Sequence, residues 1–307
     1  MDNISKLIAD KKGYDDLVGE LAELKGTDLN SLLLEVFRKR AMKLSPTELL
    51  KHFQQNRFAA HSTVDTIAFK EFEIRCLKLT ASRGFTPITL SPLTVFGTCS
   101  SVGFVDQNNV MTALRGTEVV SDATNVFALL IAKECKNQKN TSVMKYAAAH
   151  RHVRTQGLIN PAFTPHFSIF CLATGGSDRG SFSFELEQLV EHIDIHFAIL
   201  ENELRKEKLI LKIYFKDENK TFRQAVADTL KNLNKSIRIE IENQPDTGDY
   251  YKLIRFKFFI DRDGNEMNLS DGGFVDWTQK LIPNKKHRLL TSGIGTELVH
   301  KVAYNQI

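Results

Sequence analysis

Seven prolines, four cysteines and one tryptophan are few for a chain of 307 residues, and each shortage closes off a class of protein. So few prolines, with seventeen glycines in no period, exclude a collagen-like or proline-rich disordered chain. Cys76, Cys99, Cys135 and Cys171 stand far apart with no CxxC pair, so buried free thiols are expected rather than disulfides or a zinc site. No apolar run approaches ~18 residues, and MDNISKLIADKKGYDD contains no apolar leader segment. Neither a membrane span nor a signal peptide is therefore expected, and the cytoplasm is the expected compartment. An excess of one charge is missing too, with 41 basic against 37 acidic residues and a formal net charge of +4. That small excess permits an anionic ligand, but it lacks the concentrated basic stripe of a nucleic-acid binder, and no nucleic-acid partner is expected. What remains is ordinary globular composition, 42% apolar and 25% charged, enough for one large core or two smaller ones.

Residues 1–60 read as short helices, a helical extension separate from a core over 61–307. Leu29, Leu32, Leu33, Val36 and Phe37 fall at helical spacing. Leu44-Ser45-Pro46-Thr47-Glu48-Leu49 is a specified helix start, with Ser45 as cap, Pro46 at the first helical position and Glu48 returning a bond. A long helix is expected from about Ser62, with Ala68, Phe69, Phe72, Cys76 and Leu79 inward, stopped at Gly84. Beyond it the period changes. Phe85 to Pro92 reads as extended, because each proline biases its predecessor away from helix. Val110 to Arg115 reads as a short strand, Ala123 to Cys135 as a helix, and Lys145 to Val153 and Phe167 to Ala173 as strands around a loop. A further helix carries Leu186, Leu189, Ile193, Phe197 and Leu200. Ile237, Ile239 and Ile241, and then Ile254, Phe256, Phe258 and Ile260, alternate as half-buried strands do. Helices first, then a sheet with helices on one side, give an α+β layout rather than a parallel βαβ series.

Several segments, in order, resemble the catalytic core of class II aminoacyl-tRNA synthetases, specifically histidyl-tRNA synthetases and their paralogue, the regulatory subunit of ATP phosphoribosyltransferase. The long helix followed by RGFTPITLSPL looks like motif 1, with Pro92 at its proline. LRGTEVVSDATNVFAL looks like the family's LRPEGT segment and following helix. KYAAAHRHVRTQ, a loop, and HFSIFCLATGG resemble motif 2. GDYYKLIRFKFFI resembles the histidyl-specific LDYYTGIVFE, DGGFVDW resembles GGRYD, and SGIGTELVHKV resembles the close of motif 3. The match runs from about Ser62 to Val302, and no second domain resembling the family's anticodon-binding domain is recognised before Ile307. The resemblance implies an antiparallel sheet flanked by helices, as in synthetases and biotin synthetase-like proteins, and a homodimer built through motif 1.

It also implies chemistry that the residues supply only in part. Amino-acid activation needs cations around the α-phosphate of ATP. On the resemblance, Arg151 occupies the place of the motif 2 arginine, with Arg154 three residues on, while Val153 replaces the glutamate that holds adenine. Leu298 stands for the motif 3 arginine, after Gly295 and Glu297. Asp246 falls where the histidyl-specific arginine belongs, and an anion there repels a triphosphate by roughly 4 kcal/mol at about 4 Å and an effective dielectric near 20. Ile169 and Ala173 replace the groups that hold the substrate histidine. Polar groups expected to share a cleft are Arg115, Thr117, Glu118, Arg151, Arg154, Asp249, Tyr250, Tyr251, Asp271, Gly273, Asp276, Gly295 and Glu297. Gly272, Gly273, Gly293 and Gly295 either admit a ligand close to the backbone or serve close strand packing.

Elsewhere, His192 and His196 share a helical face but lack a third metal ligand, so a solvated face is expected rather than a metal site. Lys285 to Arg288 reads as an exposed loop, and Cys99 has no histidine placed near it by sequence. Two readings follow: a catalytically impaired paralogue that binds a small molecule or protein partner in a regulatory role, or an adenylate-forming enzyme with an altered substrate. The residues name no cofactor, and the resemblance leaves ATP with magnesium as the candidate.

Overall fold

The computed structural model describes residues 2–137, 142–157, 164–205, 207–216, 219–231, 237–242, 248, 250–262 and 264–307. Four helices come first: α1 (Asp2–Lys12), α2 (Leu17–Ala22), α3 (Gly26–Ala41) and α4 (Pro46–Gln55). The start of α4 is fixed by a capping box. The Ser45 hydroxyl accepts from the Glu48 N–H at 3.2 Å, and the Glu48 carboxylate accepts from the Ser45 N–H at 2.9 Å. The long helix α5 (Thr66–Ser82) starts where Asp65 accepts from the Ala68 N–H, and the chain reverses at Gly84, whose φ is +80°.

A small three-stranded sheet follows, with β2 (Leu93–Val95) and β3 (Thr112–Ala113) on either side of β4 (Thr117–Val119). The short helix α6 (Thr98–Ser101) lies between β2 and β3 in the chain. After α7 (Ala123–Asn137) the main sheet is laid down. Its strands are β1 (Thr86–Pro87), β5 (Met144–Val153), β6 (His166–Ser177), β7 (Leu209–Phe215), β8 (Arg238–Ile241), β9 (Ile254–Arg262), β10 (Asn265–Val275) and β11 (His287–Ile294). They lie in the order β1-β5-β6-β11-β10-β9-β7-β8, antiparallel except for the edge pairs β1–β5 and β7–β8. The remaining helices are α8 (Ser183–Glu203), α9 (Lys220–Lys231), α10 (Trp277–Leu281) and α11 (Thr296–Ala303). No helix among the described residues is long and apolar enough to cross a membrane.

Strand alternation splits the core in two. Phe170, Leu172, Phe256, Phe258, Leu290 and Ile294 point toward α5, α8, α9 and α11. Cys171, Ala173, Leu289 and Val275 point the other way, toward α7 and α10. The expectation of helices on one side only is thus corrected, because α7 and α10 cover part of the second face. Adjacent glycines in β6 let both layers come close. A Cβ on Gly175 would lie 2.6 Å from Ile131 of α7, and one on Gly176 would lie 2.6 Å from Phe184 of α8.

The pair His192 and His196 also departs from expectation. Both are fully buried beneath the sheet rather than solvated. Ser292 Oγ sits 2.8 Å from His192 Nδ1 and 2.8 Å from His196 Nε2, while Thr174 and Ser270 engage the other ring nitrogens at 2.9 and 3.0 Å. Burial lowers both pKa values, that of His196 to about 3, so the rings are neutral. One hydroxyl has one proton, so Ser292 donates to one ring and accepts from the other, and the two tautomers are linked. The chain of bonds fastens α8 to β6, β10 and β11. The amphipathic spacing that raised the metal question is core chemistry.

Candidate functional site

On the α7 face, beside the second core cluster, lies a cavity of about 600 Å³. Its floor is apolar, because Phe167, Ile169 and Cys171 alternate out of β6 toward this side. One wall is Tyr250 and Tyr251, whose rings meet edge to face at 4.8 Å. Tyr251 can lie against β10 because Gly273 has no side chain, since a Cβ there would sit 2.6 Å from the ring and 2.4 Å from the Ile254 carbonyl. Gly273 therefore serves packing. Gly295 lines the cavity, and a Cβ there would meet nothing nearer than 3.5 Å.

The polar groups arrive from the start of α7, the loop after β5, strands β9 and β10, and α11. At the start of α7, Asp122 Oδ1 accepts from the Thr124 N–H at 2.9 Å and hydroxyl at 2.7 Å, and Oδ2 accepts from the Tyr250 hydroxyl at 2.8 Å. Burial pushes the Asp122 carboxyl up, but Arg154, His152 and the Thr124 and Tyr250 hydroxyls outweigh it and hold it below the usual carboxylate value. Burial, with the neighbouring Asp122 and Tyr251, raises the Tyr250 phenol far above its ordinary value, so it remains the donor in this pair. Arg154 donates to the Ser121 carbonyl at 3.2 Å and lies over the Phe167 ring at 5.3 Å. From the sheet, Arg255 of β9 pairs with Asp271 of β10 at 2.7 Å and covers the Tyr251 ring at 5.3 Å. From α11 come Glu297, Leu298 and Lys301, with Lys301 3.5 Å from Glu297.

Of the residues expected in the cleft, Arg154, Tyr250, Tyr251, Asp271, Gly295 and Glu297 line this cavity. Arg115, Thr117, Glu118, Arg151, Gly273 and Asp276 are not among its lining residues, while Asp249 and Asp246 lie outside the described residues. Each exception has a physical reason. Arg115 is an exposed turn residue whose N–H donates to Asn30, and the Thr117 hydroxyl donates to the Leu114 carbonyl. Glu118 is fully buried, and it accepts from the N–H groups of Gly97 and Cys99 and from Gln107, so it organises the 97–107 loop. Arg151 projects from the opposite face of β5, beside Ala147 and Ala149. There it pairs with Glu297 at 2.9 Å and donates to His166 at 2.8 Å. Asp276 pairs with Lys280 at 3.0 Å. Cys99 is buried and its thiol is raised to about 11, a poor nucleophile.

Sequence reading missed Asp122, Thr124, Arg255 and Lys301. The signals were present. Arg255 sits between the inward Ile254 and Phe256, so alternation sends it to the cavity face. Lys301 follows Glu297 by one helical turn. Ser121-Asp122 before a helical run is a start signal, which places the strand-to-helix junction past Glu118 rather than at it.

This sheet, with its flanking helices, has the fold of a class II aminoacyl-tRNA synthetase core. In particular, the chain is similar to an ATP phosphoribosyltransferase regulatory subunit/histidyl-tRNA synthetase from Bacillus halodurans, at 14% identity over 81% of this chain and 83% of that one, with a TM-score of 0.59. It is likewise similar to the apo histidyl-tRNA synthetase of S. aureus, at 14% identity over 80% of this chain and 68% of that one, with a TM-score of 0.60. A histidine–tRNA ligase subunit from Alicyclobacillus acidocaldarius matches at 10% identity over 80% and 96% of the two chains, with a TM-score of 0.59. At these identities the likeness is one of fold. No family model and no curated protein sequence matches the chain.

Proposed function

We propose that the chain is a catalytically impaired synthetase-like protein that holds a small zwitterionic molecule, or a partner presenting such a group, in a regulatory role. One observation carries the reading: the cavity's charges cancel locally. Arg154 faces Asp122, Arg255 pairs with Asp271, and Lys301 pairs with Glu297. Among the described lining residues, three cations therefore meet three carboxylates, and the one further cation beside them, Arg151, is already held by Glu297 at 2.9 Å, so none stands unmatched to await a triphosphate. ATP with magnesium, which the fold implies, fits these residues poorly. Leu298 lies in the wall where an arginine would underlie a nucleotide, and the carboxylates are already bonded to cations and hydroxyls. A zwitterion inserts its ammonium and carboxylate between such pairs without leaving net charge in a partly dry site. Its apolar part would lie on Phe167, Ile169 and the tyrosines.

One of the similar proteins is named a regulatory subunit, which accords with this role. Exposed Ile67 and Ile74 on α5, with Leu93 and Val95 on β2, support a homodimer through the surface that resembles motif 1. Four free cysteines accord with a reducing, cytoplasmic setting.

Trp277, the only tryptophan in the sequence, lies edge-on to Tyr250 at 5.1 Å, so its emission reports on the cavity. Titration with a panel of amino acids and other small zwitterions should give a saturable change for at least one, lost in Asp122→Asn. A saturable response to magnesium–ATP alone would replace this reading with the adenylate-forming one.

A further inference from the structure

The first four helices carry an unusual surface. Among the described residues, fifteen of the twenty-three exposed large hydrophobics lie between Ile4 and Phe53, so apolar exposure concentrates on this short segment rather than on the core. Helices α2, α3 and α4 bury none of their residues. Leu49, Leu50 and Phe53 on α4, and Val36 and Phe37 on α3, are each 44–58% exposed. A run of apolar faces this long, left in water, marks an interaction surface.

Charge says which partner fits. Residues 1–25, which hold α1 and α2, carry six acidic against four basic side chains, whereas residues 26–60, which hold α3 and α4, carry six basic against three acidic. An anionic membrane or a nucleic acid would attract the second half and be repelled by the first. A partner that satisfies both halves must carry the same two charges in reverse order, and a second copy of this chain does so across a two-fold axis. In such an isologous contact each half meets its opposite twice.

We infer that residues 1–60 form an arm that docks on the arm of a second copy, with α1–α2 of one protomer against α3–α4 of the other. The apolar faces supply the burial and the opposed charges set the antiparallel register. This surface is separate from the α5 and β2 surface invoked above and from the cavity, so its failure leaves the reading of the cavity untouched.

The test uses sedimentation velocity on a parent that is the full chain carrying Ile67→Asp and Val95→Asp, which disable the α5 and β2 surface so that any dimer read out is the arm's. One variant carries Arg40→Glu, Lys43→Glu and Lys51→Glu, and a second carries Asp15→Lys, Glu20→Lys and Glu23→Lys. Each alone should self-associate about tenfold or more weakly than the parent, and their equimolar mixture should regain the parent's dimer. Because a charge variant could lose helix, Leu50→Ser with Phe53→Ser is run beside them under circular dichroism and should also weaken the dimer. A monomeric parent, variants as dimeric as the parent, or a mixture that stays unpaired would each overturn the arm. The same holds if the parent binds anionic vesicles or nucleic acid in place of itself.

Discussion

Replacing Asp122 by asparagine should destabilise the protein at neutral pH by an amount the cavity geometry sets. The carboxylate accepts from the Thr124 N–H and hydroxyl and from the Tyr250 hydroxyl, at 2.7 to 2.9 Å. Asparagine keeps one acceptor oxygen, and its amide can donate to the Tyr250 oxygen, so most hydrogen bonds can re-form. What it removes is the counter-charge of Arg154. No ion-pair contact within 4 Å joins the two, so the roughly 4 kcal/mol of two unit charges at about 4 Å and an effective dielectric near 20 is a ceiling. Because both groups are only half-buried, about half of that, ~2 kcal/mol, is the expected loss. Domains of roughly 150–250 residues lose about 2–4 °C per kcal/mol, so thermal unfolding at pH 7 should fall by ~4–8 °C.

The pH dependence supplies a second signature. The folded Asp122 carboxyl lies below its ordinary value, so its stabilisation is complete above the unfolded value near ~4 and is lost as pH falls through the folded value. The gap between parent and variant should therefore be widest at neutral pH and narrow as the solution becomes acidic below about pH 4. Equal melting temperatures at pH 7, or a gap that does not narrow in acid, would refute the argument that this carboxylate is held ionised by its neighbours.

Other substitutions probe the same construction. Gly273→Ala drives a Cβ to 2.4 Å from the Ile254 carbonyl and should lower the denaturant midpoint by at least ~2 kcal/mol of stability, while Gly295→Ala should be nearly neutral. Ser292→Ala removes the hydroxyl that two buried imidazoles share, and urea unfolding should show a loss of about 2–4 kcal/mol. In the folded protein a thiol reagent followed by peptide mass analysis should label Cys135 first. Cys76, Cys99 and Cys171 are buried, with thiols that burial pushes up.

The sequence carried the fold better than the site, for a physical reason. Helices and strands repeat their signal over many residues, as in the capping box at Ser45 or the alternation from Ile254 to Ile260, so an error at one position is outvoted. A site residue depends on one position, where a shift by a single residue changes the face of the sheet. Arg151 shows this directly, as His150 and His152 point toward α7 while Arg151 between them does not. Glu118 shows a second limit. The resemblance points to Glu118 on the strand, whereas the cavity carboxylate is Asp122 at the helix start. His192 and His196 show a third, since burial and hydroxyl partners come from strands distant in sequence. Their spacing alone could not distinguish a wet face from a core one.

The central claim is that a class II synthetase-like fold holds a charge-balanced cavity in place of an ATP site. ATP-dependent pyrophosphate exchange, measured on the full chain with magnesium and a panel of carboxylates, tests it most directly. The account predicts exchange no greater than the protein-free blank for every carboxylate, with Leu298→Arg gaining nucleotide affinity through an unmatched cation. Clear exchange by the parent chain with any carboxylate would contradict it.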